Sequence, residues 1–238
     1  SIGGNHLIHA LRRNVNINIM LFNNRIYGLT KGQYSPTSEL GKVTKSTPYG
    51  SLDEPFNPLS VALGAEATFV ARAVDSDRAG LTEVMERAAQ HRGASFIEIF
   101  QNCPIFNDGA FDAIKGPDAV ETLIPLRQGE PITFGKDGHK AVVRDEYGAL
   151  SVVETADVDP SAIVVHDETR SDPSYAFALS RLTEPGVLDQ APVGVLRCVD
   201  RPAYDDLARE QITAVESPDR AAALASVIAG PDTWEART

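Results

Sequence analysis

Three observations predict an α/β fold built on a parallel sheet, with a smaller α+β extension at the carboxy-terminal end. Short apolar runs at 15–22, 68–74 and 95–100 are each bounded by polar or Gly-containing stretches. Segments with apolar residues at i, i+3 and i+4 alternate with them, the β-α-β rhythm of a parallel sheet covered by helices on both faces. That rhythm stops near Gly116-Pro117, where hairpin patterning takes over, so residues 1–116 form one part and residues 117–238 the extension.

Residues 1–13 read as a helix with a tight Gly3-Gly4 start, because Leu7, Ala10 and Leu11 share a face. The strand at 15–22 comes next and, from its apolar content, is expected to be buried. Residues 32–56 are rich in Ser, Thr, Pro, Gly and Lys with no period, which predicts a long functional loop. Asn57-Pro58 opens a short helix through Leu63, since Pro is favoured in a first turn. The strand at 68–74 leads into Asp75-Ser76-Asp77, whose oxygens can cap the next helix. That helix carries the stripe Leu81, Val84, Met85 and Ala88 and is expected to close at Gly93. The strand at 95–100 then delivers Cys103 to a loop.

In the extension, residues 141–148 and 150–154 read as a hairpin turning near Tyr147-Gly148. An amphipathic helix with Tyr175, Phe177, Ala178, Leu179 and Leu182 comes next, then a short strand at 193–197. A helix at 203–213 and an Ala-rich segment at 220–229 complete the order.

Composition narrows the function. Hydrophobic content of 42% supports a real core, and a net charge of −11 argues against nucleic acid or an anionic membrane surface as partner. No apolar run approaches the roughly 18 residues of a membrane span, and no basic-then-apolar leader is read. Two cysteines, Cys103 and Cys198, give no disulfide framework and fit a reducing compartment, so a cytoplasmic location is expected. No Ser–His–Asp set, P-loop or zinc spacing is found. Asp145, Glu146, Asp167 and Glu168 read as solvated faces.

The most informative stretch is residues 23–37, Asn-Asn-Arg-Ile-Tyr-Gly-Leu-Thr-Lys-Gly-Gln-Tyr-Ser-Pro-Thr. An apolar strand stops there at two amides and a Gly-containing turn. In parallel sheets, ligands sit beyond the carboxyl ends of the strands. An Asn oxygen is a neutral hard donor suited to Mg²⁺, and a main-chain carbonyl within the turn can face the same ion. Asn-Asn by itself is also an ordinary strand exit. Cys103, ahead of Pro104, sits in a loop at the same edge, although a lone Cys is commonly a small buried residue. Cys198, within Val195-Leu196-Arg197-Cys198-Val199, reads as a core strand residue.

The whole string resembles the second half of the thiamine-diphosphate signature, in which Gly-Asp-Gly is followed further along by Asn-Asn. In its longer form it resembles the β subunit of 2-oxoacid:ferredoxin oxidoreductases, particularly the 2-oxoglutarate type. Ser1-Ile2-Gly3-Gly4-Asn5-His6 resembles the segment just after the Gly-Asp-Gly element, and Gln101-Asn102-Cys103-Pro104-Ile105-Phe106-Asn107-Asp108 the family's cysteine-bearing loop. Phe134-Gly135-Lys136-Asp137, His166-Asp167-Glu168 and Asp232-Thr233-Trp234-Glu235 resemble its carboxy-terminal part. Gly-Asp-Gly and the family's Cys-x-x-Cys segment are absent, so the sequence is expected to be the carboxy-terminal portion of a longer subunit.

The resemblance implies a site. Asn24 and the carbonyl of Ile26 would hold Mg²⁺, Gly28 and Leu29 would lie against thiamine diphosphate, and residues 1–116 would be part of that cofactor's domain. Cys103 would be the fourth ligand of a [4Fe–4S] cluster whose other ligands lie upstream. Lys31 and His6 would face the substrate or coenzyme A. The implied reaction is oxidative decarboxylation of 2-oxoglutarate with coenzyme A to succinyl-CoA and CO₂, with electrons passing through the cluster to ferredoxin. No acid–base catalytic residue is assigned in this chain, because in this family that acid comes from an α subunit. An α partner, in an α2β2 assembly, is therefore expected. The alternatives are a β subunit acting on pyruvate or several 2-oxoacids, and a non-catalytic partner subunit that has lost its cofactor.

Overall fold

The runs predicted as strands at 68–74 and 95–100 lie side by side at the centre of a five-stranded sheet. The computed structural model describes residues 3–184, 187–231 and 234; Ser1, Ile2, Asp232, Thr233 and Glu235 of the strings above lie outside them. Helix α1 (Gly4–Arg13) leads to β1 (Ile17–Asn23), and after the long loop come α2 (Pro58–Gly64), β2 (Phe69–Val74), α3 (Arg78–Gln90) and β3 (Ala94–Phe100). The extension adds β4 (Leu123–Pro125), the sheet β5 (Thr133–Phe134), β6 (Lys140–Arg144) and β7 (Leu150–Glu154), then α4 (Ser174–Leu182), β8 (Ala191–Cys198), α5 (Tyr204–Ala214) and α6 (Arg220–Ala229). The 32–56 loop contains no helix or strand, as its composition predicts.

Local chemistry explains the helix starts. The side chain of Asn57 accepts from the N–H of Ser60 at 3.1 Å ahead of Pro58, and Asp77 accepts from Gly80 at 3.1 Å. Gly93 does not close α3, which ends at Gln90. Instead Gly93, at φ 144°, passes so close to the Asn14 side chain that a Cβ there would collide with it.

The large sheet runs β1-β3-β2-β8-β4 and is mostly parallel, with β8 antiparallel to β2. Apolar residues of α1, α2 and α4, such as Leu11, Leu63 and Leu179, pack with Val70 and Phe96 on one face. Val84 and Ala88 of α3 pack with Phe69, Ile97 and Ile99 on the other. Helices cover both faces, as expected, and burying β2 and β3 on both sides is the main hydrophobic driving force.

Several expectations need correction. The β1 strand is largely exposed, because it is an edge strand and pairs only with β3 among the described residues. Met85 is exposed at the margin of its stripe, and Phe177 points outward while Tyr175, Ala176 and Leu179 form the buried face of α4. The expected parallel sheet of residues 1–116 is present, and β8 of the extension adds to it antiparallel beside β2.

Candidate cofactor site

The strand β1 ends at Asn23, and the two amides of the Asn-Asn pair have separate tasks. Asn23 is buried; its Nδ2 donates to Glu98 Oε1 at 2.8 Å. Its Oδ1 accepts from the N–H of Arg25 at 3.2 Å and from Thr37 Oγ1 at 2.7 Å. Asn23 is therefore a tether. The Asn24 Oδ1 accepts from the N–H of Ile26 at 3.2 Å, which uses one of its two lone pairs. Ile26 has its side chain buried, at 4% exposure, so what it offers the site is backbone.

Arg25 turns the chain sharply, with φ 56°, a left-handed conformation uncommon outside glycine. Surrounding groups hold it there. Ser38 Oγ donates to the Arg25 carbonyl at 2.6 Å, and the buried guanidinium donates to the Thr37 carbonyl at 3.2 Å and faces Glu39 at 3.7 Å. Burial pulls the Arg25 pKa down, with Glu39 and Glu98 opposing. Burial pushes Glu39 up, but its hydrogen bond from Lys42 and the neighbouring cations bring it below the ordinary carboxylate value.

Along the open edge of β1 and past its end runs a groove of about 790 Å³. It brings together His6, Asn24 and Ile26, along with Tyr27 and the Gly3-Gly4 start of α1. That helix begins at Gly3, φ 106°. Among the described residues no side chain caps its first amides, the arrangement that favours phosphate groups. A neutral amide oxygen and an uncapped helix start fit a diphosphate with its divalent ion. Among the described residues no group of three or more His, Cys, Asp or Glu can hold a metal by itself. A divalent ion at Asn24 would accordingly take much of its coordination from the ligand's phosphates, as Mg²⁺ commonly does.

The cysteine-bearing loop meets the same turn. A Cβ on Gly28 would lie 4.0 Å from Cys103 Sγ and 3.8 Å from the ring of Phe106. Asn107 Nδ2 donates to the Asn24 carbonyl at 3.0 Å, and Lys42 Nζ donates to Asn107 Oδ1 at 2.6 Å. Cys103 is half-buried, and its thiol is free. Cys198 pairs in register with Phe69 at the amino end of β2, so the two thiols lie at opposite ends of the sheet. Of the described residues, a cluster here could draw on Cys103 and not on Cys198.

Leu29 and Lys31 stand apart from the groove lining. Leu29 is 99% exposed and Lys31 is exposed at φ 67°, with its N–H bonded to the Gly28 carbonyl at 3.0 Å. Both sit at the tip of the turn, open to a neighbour or substrate. The supports of the site, Asn23, Asn107, Arg72 and Glu98, are not singled out by the sequence pattern. A signal for two of them is nonetheless present: Arg72 and Glu98 are the one charged residue in each of two mainly apolar strands, and the register places them opposite each other.

The chain is similar to several known proteins. Residues 1–99 match the family described as "Thiamine pyrophosphate enzyme, C-terminal TPP binding domain". The chain is 63% identical over 236 residues to "2-oxoglutarate oxidoreductase subunit KorB" of Mycobacterium tuberculosis, covering 98% of this chain and 63% of that protein. It is 43% identical over 107 residues to "2-oxoacid:ferredoxin oxidoreductase subunit beta" of Saccharolobus solfataricus, covering 45% of this chain and 35% of the relative. Among solved structures, a 2-oxoglutarate:ferredoxin oxidoreductase from Magnetococcus marinus, with 2-oxoglutarate, coenzyme A and succinyl-CoA bound, superimposes with a TM-score of 0.69. That match has 28% identity and covers 97% of this chain and 64% of the other. The chain thus spans just under two thirds of the length of the Mycobacterium tuberculosis protein it resembles almost end to end.

Proposed function

We propose, proceeding from the likeness of nearly the whole chain to 2-oxoglutarate oxidoreductase β subunits, that it forms the thiamine-diphosphate-binding portion of such a subunit. In this reading the full protein, with an α subunit, converts 2-oxoglutarate and coenzyme A to succinyl-CoA and CO₂ and passes electrons to ferredoxin. The observation that carries it is the meeting of the Asn24–Gly28 turn with Cys103 at one end of the sheet, within 4.0 Å of a Gly28 Cβ.

Residue roles follow from position. Asn24 and the backbone of Ile26 would hold Mg²⁺, and the first amides of α1 would receive the diphosphate. Gly28, lacking a side chain, lets the backbone come close to the cofactor, and Leu29 offers an apolar surface to it. Bound thiamine diphosphate would supply the carbanion chemistry at the carbonyl carbon of the 2-oxoacid. Cys103 would ligate a [4Fe–4S] cluster with thiolates from outside the described residues. His6, in the groove, and Lys31, at the tip of the turn, would face the anionic substrate or coenzyme A. Residues 1–116 would be the cofactor-binding part, and residues 117–238 the extension that completes its sheet. No helix among the described residues is long and apolar enough to cross a membrane, which is compatible with a cytoplasmic location.

The test uses the full-length protein with its α partner. Calorimetry with thiamine diphosphate and Mg²⁺ should show binding, and 2-oxoglutarate should reduce a viologen dye only when coenzyme A is present. Absence of thiamine diphosphate binding would overturn the reading and favour a partner subunit without cofactor. The likeness to the Saccharolobus solfataricus 2-oxoacid enzyme subunit supports a second reading, action on pyruvate or several 2-oxoacids. Equal specificity constants for pyruvate and 2-oxoglutarate would select it.

A further inference from the structure

Behind the Asn-Asn turn lies a buried polar chain running Thr183, Arg72, Glu98, Asn23 and Arg25. Arg72 is 2% exposed and Glu98 1%, and Arg72 Nε donates to Glu98 Oε2 at 2.9 Å. The guanidinium also donates to Thr183 Oγ1 at 2.6 Å and sits 4.9 Å from the centre of the Phe100 ring. The other oxygen of Glu98 accepts from Asn23 Nδ2 at 2.8 Å. Register explains the contact, since Leu21 lies opposite Glu98 and Asn23, two residues on, shares its face.

We propose that Glu98 is a positioning residue for the cofactor turn, setting the direction of the Asn23 amide and through it the Asn24–Ile26 backbone. This rests on the thiamine-diphosphate reading given above. Donor and acceptor counting carries the argument. Glu98 must accept on both sides, from a cation and from an amide, and an ionised carboxylate is acceptor-only at both oxygens. Held by it, Asn23 presents its oxygen to the N–H of Arg25. With Glu98→Gln, the single oxygen goes to the charged Arg72, and an NH₂ group then faces the NH₂ of Asn23. Asn23 must flip, and its NH₂ meets the Arg25 N–H, donor against donor. Thr37 can turn its hydroxyl to suit; a backbone N–H cannot.

The polarity can be restored by reversing it. In the double variant Glu98→Gln with Asn23→Asp, the new amide oxygen accepts from Arg72 and the new NH₂ donates to the carboxylate introduced at position 23. The second oxygen of that carboxylate accepts from Arg25 and Thr37. Net charge is unchanged. Asn23→Asp alone places two carboxylates against each other.

The experiment compares wild type, both single variants and the double variant as full-length protein with its α partner. It reads backbone hydrogen exchange across residues 23–28 without cofactor, thiamine diphosphate and Mg²⁺ affinity by calorimetry, and Tm. Each single variant should exchange faster over 23–28 and bind about 10- to 100-fold more weakly, the usual effect of outer-shell partners of metal ligands. The double variant should recover both. A merely structural ion pair would lower Tm while the folded single variants kept wild-type exchange and affinity, and that result overturns the proposal. So does a double variant no better than folded single ones. If Glu98→Gln does not fold, Asn23→Ala removes the amide through which Glu98 acts and leaves the Arg72–Glu98 pair in place, and unchanged exchange over 24–28 overturns the proposal. Faster exchange in the single variants of a wild type that binds no thiamine diphosphate refutes the cofactor reading and leaves the tether standing.

Discussion

Asn107 donates its amide to the carbonyl oxygen of Asn24 across 3.0 Å, joining the cysteine-bearing loop to the turn that follows β1. The loop after β3 and the turn after β1 are neighbours because their strands pair in parallel, Asn23 opposite Phe100. The contact converts two sequence motifs, far apart along the chain, into one site.

Asn24→Ala should leave the fold intact, because the Oδ1 of Asn24 bonds locally to Ile26 while the long-range tethers belong to Asn23 and Asn107. Mg²⁺ and thiamine diphosphate affinity should fall by more than about tenfold, since even outer-shell groups have effects of that size. Calorimetry on the full-length complex checks this, and unchanged affinity would remove Asn24 from the metal site.

For the thiols the comparison is internal. Cys103→Ser should lower iron content or alter the cluster's electron paramagnetic resonance signal, because a hard oxygen replaces a soft thiolate poorly on iron. Cys198→Ser, at the opposite end of the sheet, should leave both unchanged. An intact cluster signal in the Cys103 variant would make Cys103 a packing residue.

Two glycines of one turn should respond differently to alanine. At Gly28 a Cβ meets Phe106 and Cys103 at ordinary contact distance, 3.8 and 4.0 Å, so Gly28→Ala should fold normally and lose cofactor affinity. At Gly32, φ 95°, a Cβ comes within 3.0 Å of the Phe106 ring, so Gly32→Ala should lower Tm, with roughly 1 kcal/mol or more from the backbone alone. Wild-type cofactor affinity in Gly28→Ala would show that the backbone there is not in contact with ligand.

Lys31→Ala removes an exposed charge and should shift stability by less than about 0.5 kcal/mol. A charge-assisted contact to an anionic substrate is worth roughly 1.5–3 kcal/mol, about ten- to a hundredfold in specificity constant. Steady-state kinetics with 2-oxoglutarate, pyruvate and varied coenzyme A should show that loss. Wild-type constants for all three would leave Lys31 a solvated side chain.

Acid should loosen the extension through His166. Its Nε2 bonds to the Val195 carbonyl at 2.8 Å and its Nδ1 to Tyr175 Oη at 3.0 Å, and burial lowers its pKa. A histidine whose folded pKa is depressed stabilises the fold above the unfolded value near 6.5, and that contribution is lost as pH falls through the folded value. His91, lowered by burial as well, acts in the same direction. Asp167, with its pKa held at about 2 by hydrogen bonds from Thr169, titrates well below this window. Tm should therefore drop as pH falls below about 6.5, and less steeply in His166→Gln, by calorimetry over that acid range. An equal slope in the variant would assign the effect elsewhere.

Much of this was legible because it is local. Asn57 and Asp77 announce helix starts, and the Asn-Asn turn with Cys103 announces a site, through residue types whose chemistry acts within a few positions. What escaped depends on partners distant in sequence. The apolar content of β1 suggested burial, but burial of a strand is decided by what lies on either side of it. Met85 and Phe177 fit their helical stripes by spacing and miss them by a small rotation. Two equal amides at Asn23 and Asn24 become different only once Glu98 stands beside one of them.

Thr183, just past α4, donates no ligand and touches no motif, yet its hydroxyl accepts from the guanidinium of Arg72 at 2.6 Å. Because Arg72 holds Glu98, the extension is wired at Thr183 to the turn after β1. Modular exchange is restricted as a result. A chimaera that replaces the extension with that of a distant homologue must bring an acceptor to the Thr183 position and a strand to the open edge of β2. Without both, the graft would unsettle a loop from which it is separated by most of the chain.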